Sequence, residues 1–403
     1  MTHAAHLIRT LNAPTPDDFD SNFLEKVSFA DVERWLTRLT RQHGEALEAC
    51  PTDDEAIWEV TASQGQYRVL ARYDGDGRLS GFRFPQPDQT EPWQLRVALL
   101  MPWLLAPVVF LVSLHPWRYA TQLDWLRVAV PGLLFIAVVL VKFTSATFSL
   151  YLWPIYVAAG LLLLASASRL PDLPFGSVDG GQWLVSVCLS LVLILPLVAV
   201  ARGQRVPPNP VRLGQVLAGG TFQVGQGGST PQLNYHVAHP HMRYAVDFIG
   251  VNRWGRHATG LMPAEPHKYA IFGAQVLAPL DGVVEQVRAD LPDLPVPQTD
   301  ELRAAGNHIV IRGRAEDGRE IRVLLAHLQR GSVNVTEGQS VRAGQVIARV
   351  GNSGNTTEPH LHLGVNVGGE ADQPLSGEGV PFLIEGRFPV RNMLFRAAAT
   401  TVE

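Results

Sequence analysis

Residues 335–365 read VTEGQSVRAGQVIARVGNSGNTTEPHLHLGV: short valine-rich runs broken by Gly and Asn, the pattern of strands joined by tight turns. The same texture begins at GGTFQVGQGGSTP (219–231) and continues to about residue 370. Helical periodicity is nearly absent there, apart from a short turn near ELRAAG at 301–306. An all-β domain is expected, assigned to residues 220–390, with a linker (VPPNPVRLGQ and what surrounds it) at 203–219.

Inside this domain PHLHLGV sets two histidines two positions apart. On a strand, residues i and i+2 share a face, so His360 and His362 enter one cleft while Leu361 faces the core. Two imidazoles side by side suit a metal ligand beside an acid/base group, although a bare HxH pair is common by chance. Upstream, RYAVDF at 243–248 places Asp247 between Val246 and Phe248, a carboxylate on the inward face of an apolar strand. Such a group needs a partner, either a zinc ion or backbone amides at a turn. Histidine is concentrated in this half of the chain. His308 reads as a rim residue at a strand start, and His257 and His267 as solvated residues of a polar loop.

Before residue 203 the character differs. Four apolar stretches, roughly Val97–Leu114, Leu126–Val141, Phe148–Ala167 and Leu184–Ala201, sit within a region assigned to 94–202. Three approach the ~20 residues that cross a bilayer and the second is shorter. Trp and Tyr lie at their edges, among them Trp93, Trp117, Tyr119 and Trp153, as interfacial anchors do. Lys142 lies at a span end and no charge sits mid-span, so the helices read as an anchor and not as a transporter or sensor. Four spans put both chain ends on one side. The basic residues Arg96, Lys142, Arg202, Arg205 and Arg212 outnumber Arg118, Arg127 and Arg169, which by charge alone puts the C-terminal domain in the cytoplasm.

Residues 1–93 read as a small α+β domain. FADVERWLTRLTRQHGEALEA (29–49) carries Phe29, Val32, Trp35, Leu36 and Leu39 on one helical stripe. AIWEVTAS, QYRVLARYD and SGFRFP alternate like strands, with DGDG as a hairpin turn. The first twenty residues lack the basic-then-apolar pattern of a secretory signal. Over 403 residues the net charge is −4 with no dense basic run, which gives no reason to expect nucleic acid as a partner. Two cysteines, Cys50 and Cys188, support neither a disulfide framework nor a thiolate metal site.

Taken in order, five pieces between about 220 and 385 resemble the lysostaphin/LytM-type zinc endopeptidases, which cut peptide bonds in bacterial peptidoglycan: RYAVDF, GAQVLAPLDGVVEQV, GNHIVIR, VLLAHL and the segment ending in PHLHLGV. The resemblance implies a duplicated hybrid motif fold and one zinc ion held by a first-motif His, Asp247 and His362. It implies that His327 and His360 handle the water proton and the oxyanion, in either order. The family's usual HxxxD spacing puts Arg243 where the first His would stand, and Arg cannot ligate. NYHVAHPHMRYAVDF (234–248) resembles instead a longer-loop version, which points to His236, with His239 and His241 as alternatives. Two His and one Asp leave a fourth position open, as at a catalytic zinc. Asn234, Asn355 and Glu358 are candidate supports for the ligands. The four spans imply a multi-pass membrane location, and the resemblance implies a peptidoglycan peptide as substrate and an extracytoplasmic peptidase domain, against the charge count. The competing reading is a catalytically inactive, cell-wall-binding or amidase-regulating domain on a membrane anchor.

Overall fold

A computed structural model describes residues 2–52, 54, 56–83, 92–143, 145–177, 179–370 and 373–397. The chain divides into two compact units: Met1–Gln89 with Asp300–Ala304, and Thr90–Thr299 with Ala305–Glu403.

In the first unit, helices His3–Asn12, Ser21–Lys26 and Phe29–His43 accompany a four-stranded antiparallel sheet, Ala46–Pro51, Ile57–Ala62, Gly65–Tyr73 and Leu79–Arg83. Ser28 caps the third helix by accepting from the Asp31 amide, and Val32, Leu36 and Leu39 of the expected stripe are buried. The helix does not run to residue 49. Gly44 ends it with φ 81°, a conformation open to a residue without Cβ, and Ala46 starts a strand that the periodicity had hidden. The junction expected near residue 93 borders residues 84–91, which lie outside the described set, as does the end of the SGFRFP strand.

The second unit opens with four helices long and apolar enough to cross a membrane, over Leu100–Arg118, Gln122–Lys142, Leu150–Asp172 and Gly180–Gly203. The second is 21 residues long, not the shorter run expected: its first turn is the polar sequence Gln122–Asp124, capped by Thr121, which a hydrophobicity reading leaves out. The third is α-helical only over Trp153–Ala165 and tightens into 3₁₀ turns at both ends. Leu111, Leu184 and Leu195 are each about two-thirds exposed, the outward apolar face that a helix in lipid presents. Between the helices the polar groups are paired: Tyr156 Oη donates to the Pro102 carbonyl at 2.6 Å and Trp125 Nε1 to Ser166 Oγ at 2.7 Å.

The rest is β. A nine-stranded sheet runs in the order Ser340–Val341, Gly282–Arg288, His308–Arg314, Glu320–Ala326, Leu361–Val367, Val246–Gly250, Gly220–Gln226 and Leu394–Ala397, with Glu378–Gly379 beside Leu361–Val367. Its neighbours are antiparallel throughout. A three-stranded sheet, Val346–Arg349, Gln275–Leu277 and Leu217–Ala218, and the parallel pair Phe382–Ile384 with Val211–Leu213 complete it. The segment 203–219 thus supplies two short strands as well as a connection. One apolar core, including Val246, Phe248, Ile309, Val323, Leu325, Leu361 and Leu363, fills the domain.

The register of this sheet positions the chemistry. Asp247 stands opposite His362, and His362 opposite Ala326 on the next strand, so His327 follows at that strand's end. Paired residues share a face. Three sequence segments separated by scores of residues therefore deliver a carboxylate and imidazoles to one place.

Candidate metal centre

Asp247 is the hub. It is 5% exposed, and around its carboxylate lie His362 Nδ1 at 2.9 Å from Oδ1, His360 Nε2 at 3.6 Å from Oδ1 and His236 Nε2 at 3.6 Å from Oδ2. Tyr235 adds its hydroxyl, donating to Oδ2 at 3.1 Å. Burial alone would raise the Asp247 carboxyl, but the imidazoles of His236, His360 and His362 outweigh it and hold the acid below the usual carboxylate range. Burial pushes His236 down to about 4, against the pull of Asp247, so the ring is neutral and keeps a free lone pair at neutral pH. Asp247 raises the Tyr235 hydroxyl, with burial adding to it, so Tyr235 stays a proton donor.

His236 arrives by a local device. Asn234 Oδ1 accepts from the His236 amide at 3.1 Å while its Nδ2 donates to the carbonyls of Gly228 and Ala245 at 3.2 and 2.9 Å. That side chain ties the loop to the strand carrying Asp247. Of the three first-motif histidines, His236 is buried and turned to Asp247. His239 is exposed, and the His239 ring pairs with that of His241 at 6.0 Å, outside the cluster around Asp247.

His327 and His360 form the other wall, with ring centres 4.6 Å apart. His327 sits at φ 62°, an unusual conformation for a residue with a side chain that costs about 1–3 kcal/mol. It is held by three bonds: its amide donates to Ala305 O, its carbonyl accepts from Gly351 N, and Nδ1 donates to Ser353 O at 2.9 Å. Burial, with the neighbouring His360 and His362, drives His327 well below the usual imidazole value. His360 Nδ1 lies 2.9 Å from the Glu358 carbonyl and 3.0 Å from Thr356 Oγ1. Because carbonyl oxygens only accept, both rings carry hydrogen on Nδ1, and His327, held neutral by burial, presents Nε2 as an acceptor.

Two overlapping groups have ligand atoms within 4.8 Å of one another: His236, Asp247 and His362, and His327, His360 and His362. The first fits a single cation. Two imidazoles and a carboxylate, each offering one atom within 4.8 Å of the others, are the donor set of one zinc ion. A buried carboxylate ringed by imidazoles is a site where a cation satisfies the charge of the acid and the lone pairs of the rings together. With Nδ1 turned to Asp247, His362 Nε2 is buried without a hydrogen-bond partner among the described residues.

Other expectations shift. His257 is buried, not solvated: Nε2 lies 3.1 Å from Glu358 Oε2 and Nδ1 3.3 Å from Ala146 O. Both partners are acceptors, so the ring carries two hydrogens, and the Glu358 carboxylate raises its pKa despite the opposing effect of burial. Glu358 thus supports His360 through its carbonyl only. His308 is buried, with Nδ1 donating to Gly306 O at 2.7 Å, since its strand lies mid-sheet. His267 is exposed, as is Asn355. Sequence reading passed over Tyr235 although it adjoins His236. It also passed over Arg391, whose guanidinium holds Gln226, the residue in register with Asp247 on the neighbouring strand.

Residues 268–374 match the family model of Peptidase family M23. The β domain is an M23 peptidase domain. The matched span includes His327, His360 and His362; His236 and Asp247 precede it. An "Uncharacterized metalloprotease" of Haemophilus influenzae is 35% identical to the chain over 115 residues, 28% of this chain and 21% of that protein. The chain thus spans about a fifth of that relative's length. Among solved structures, the catalytic domain of the prophage-encoded M23 protein EnpA from Enterococcus faecalis is 18% identical, covering 45% of this chain and 94% of that one, with a TM-score of 0.22. The lysostaphin catalytic domain from Staphylococcus simulans is 23% identical, covering 39% and 80%, with a TM-score of 0.20. The M23 domain follows a helical region whose four apolar helices are long enough to span a bilayer.

Proposed function

We propose that the chain is a membrane-anchored zinc endopeptidase that hydrolyses peptide bonds of peptidoglycan, in cross-links or stem peptides. The observation that carries this reading is the convergence of His236 and His362 on a single buried carboxylate, Asp247, beside a second pair of histidines, His327 and His360, with ring centres 4.6 Å apart. His236, Asp247 and His362 are the proposed ligands of one ion. Bound there, zinc supplies Lewis-acid polarisation of the scissile carbonyl and lowers the pKa of the attacking water.

His360 and His327 move the proton. Either ring takes the proton of the attacking water on Nε2, and the imidazolium so formed becomes a donor to the oxyanion or the leaving amine. This order supports proton uptake before oxyanion stabilisation, since His327 is held neutral at rest. Ser353 O and Glu358 O fix the tautomers. Tyr235 donates to Oδ2 of Asp247, the oxygen that faces His236, and keeps the carboxylate oriented. The presence of all five side chains in one cluster favours an enzyme over a wall-binding or amidase-regulating domain, whose ligands would be free to drift.

The test is peptide release from purified peptidoglycan by the full chain in detergent, with and without chelator. Release that stops with chelator and returns with one equivalent of zinc supports the reading. Tight wall binding with no cleavage, and no metal in the purified protein, supports the inactive domain instead.

A further inference from the structure

The M23 domain does not hang from its anchor on a free arm. The connection from Gly203 to Val211 is short, and the loop it leads toward is bonded to the last turn of the fourth helix: Thr230 Oγ1 donates to Ala199 O at 3.0 Å and the Ser229 amide to Gly203 O at 3.0 Å. That loop continues directly into Tyr235 and His236. The segment joining the second and third spans grips the domain from another direction. Arg391 Nη1 donates to Lys142 O at 2.7 Å, Asn392 Nδ2 to Phe143 O at 2.9 Å, and the Ala146 amide to Gln223 Oε1 at 2.9 Å. The His257 and Leu150 amides donate to Ala146 O and Gly255 O at 2.9 and 2.7 Å. Ser149 Oγ and Tyr151 Oη close on the carbonyls of Trp254 and Arg253 at 3.1 and 3.0 Å.

Both grips end at the site. Arg391 spans from the carbonyl of Lys142, the last residue of the second helix, to Gln226, and Gln226 is in register with Asp247. His257 joins Ala146 to Glu358, whose carbonyl holds His360. At the same level Trp254, 60% exposed, projects from the domain beside Tyr151, 61% exposed, one turn before the third helix begins. Exposed aromatic rings at the ends of apolar helices sit in the headgroup layer. The cleft therefore lies at the level of the helix ends, tied to them through both grips.

We infer that the substrate is a cell-wall peptide still carried on a membrane lipid, presented in the leaflet beside the cleft. A polymer held away from the membrane would require a mobile arm. A lipid-borne peptide instead shares the two-dimensional layer in which the cleft is fixed, which raises its local concentration. This inference rests on the proposed peptidase activity.

The full chain is reconstituted in phospholipid vesicles and given stem peptides released from peptidoglycan in three forms: free, coupled to a dialkyl lipid by a short tether, and coupled by a long flexible one. Chelator-sensitive cleavage of the short-tethered form at least about tenfold faster than of the free form, falling as the tether lengthens, is the expected result. Equal rates for free and lipid-borne peptide, or fastest cleavage of the long-tethered form, overturn the inference and leave the peptidase reading intact. Cleavage of none of the three, with zinc present, overturns the inference, and takes down the peptidase reading as well when cross-linked peptidoglycan is also left intact.

Discussion

At the scale of single residues, the ligand and proton-transfer roles separate by experiment. Asp247→Ala and His362→Ala are expected to lose zinc on dialysis, read by metal analysis. His360→Ala should retain the metal and lose turnover by about 100- to 10,000-fold. Full zinc in both ligand variants would falsify the assignment. Tyr235→Phe leaves the ligands in place and removes the hydroxyl on Asp247, so metal affinity should fall about 10- to 100-fold in a chelator competition, with the fold unchanged. The meeting of His362 and Asp247 was legible because strand alternation orients both, and the approach of His236 because the loop resembles a known variant; His360 stands just before its strand and is oriented by the Glu358 carbonyl instead. Tyr235 and His257 were not legible as functional, because their partners, Asp247 and Glu358, come from other segments that only folding brings near.

At the scale of elements, the loops that hold the histidines are where substitutions should act on both stability and rate. Gly306 has φ 60°, and a Cβ there would meet Ser353 O at 2.1 Å, the carbonyl that fixes His327. Gly306→Ala is expected to cost more than about 1 kcal/mol in thermal unfolding and to depress turnover, since the His327 acceptor must move. The His257–Glu358 pair predicts a pH signature. His257, raised above 6.5, contributes stability that is complete at lower pH and is lost as pH rises through its folded value. Glu358 is lowered below 4.5 because His257 outweighs the opposing effect of burial; its contribution is present above 4.5 and lost as pH falls through its folded value. The melting-temperature gap between the native chain and Glu358→Gln should be widest in the window between 4.5 and 6.5 and shrink toward alkaline pH. A gap that widens from about pH 6 to about pH 9 would contradict the imidazolium. The strand-rich texture and the turn glycines were plain in the sequence. The extra strand Ala46–Pro51 was not, because it was read as the tail of the helix before it, nor were the strands at 211–218, which are too short for alternation to rise above their flanks.

At the scale of the whole molecule, four apolar helices precede the M23 domain, and alkaline carbonate washing should leave the chain with the membrane pellet. The proposed extracytoplasmic placement of the domain gains from one contact. Arg212, counted among the basic residues that favour the cytoplasm, pairs with Glu316 at 3.1 Å inside the folded domain. Without it the two sides stand at four against three. A tag placed after residue 397 should be cleaved by protease added to intact spheroplasts; protection until lysis would place the domain inside. The multi-helix layout was legible from hydropathy, whereas the bonding of the domain to the helix ends was not, since it runs mostly through backbone carbonyls that carry no residue signature.

The sheet is closed by its final strand. Leu394–Ala397 zips along Gly220–Gln226, and just before it Arg391 and Asn392 clasp the C-terminal end of the second helix. A stop codon shortly after Phe388 would therefore leave every proposed ligand encoded and yet yield a protein whose tail no longer latches. The damage would be architectural, and it would escape any inspection confined to the five clustered side chains.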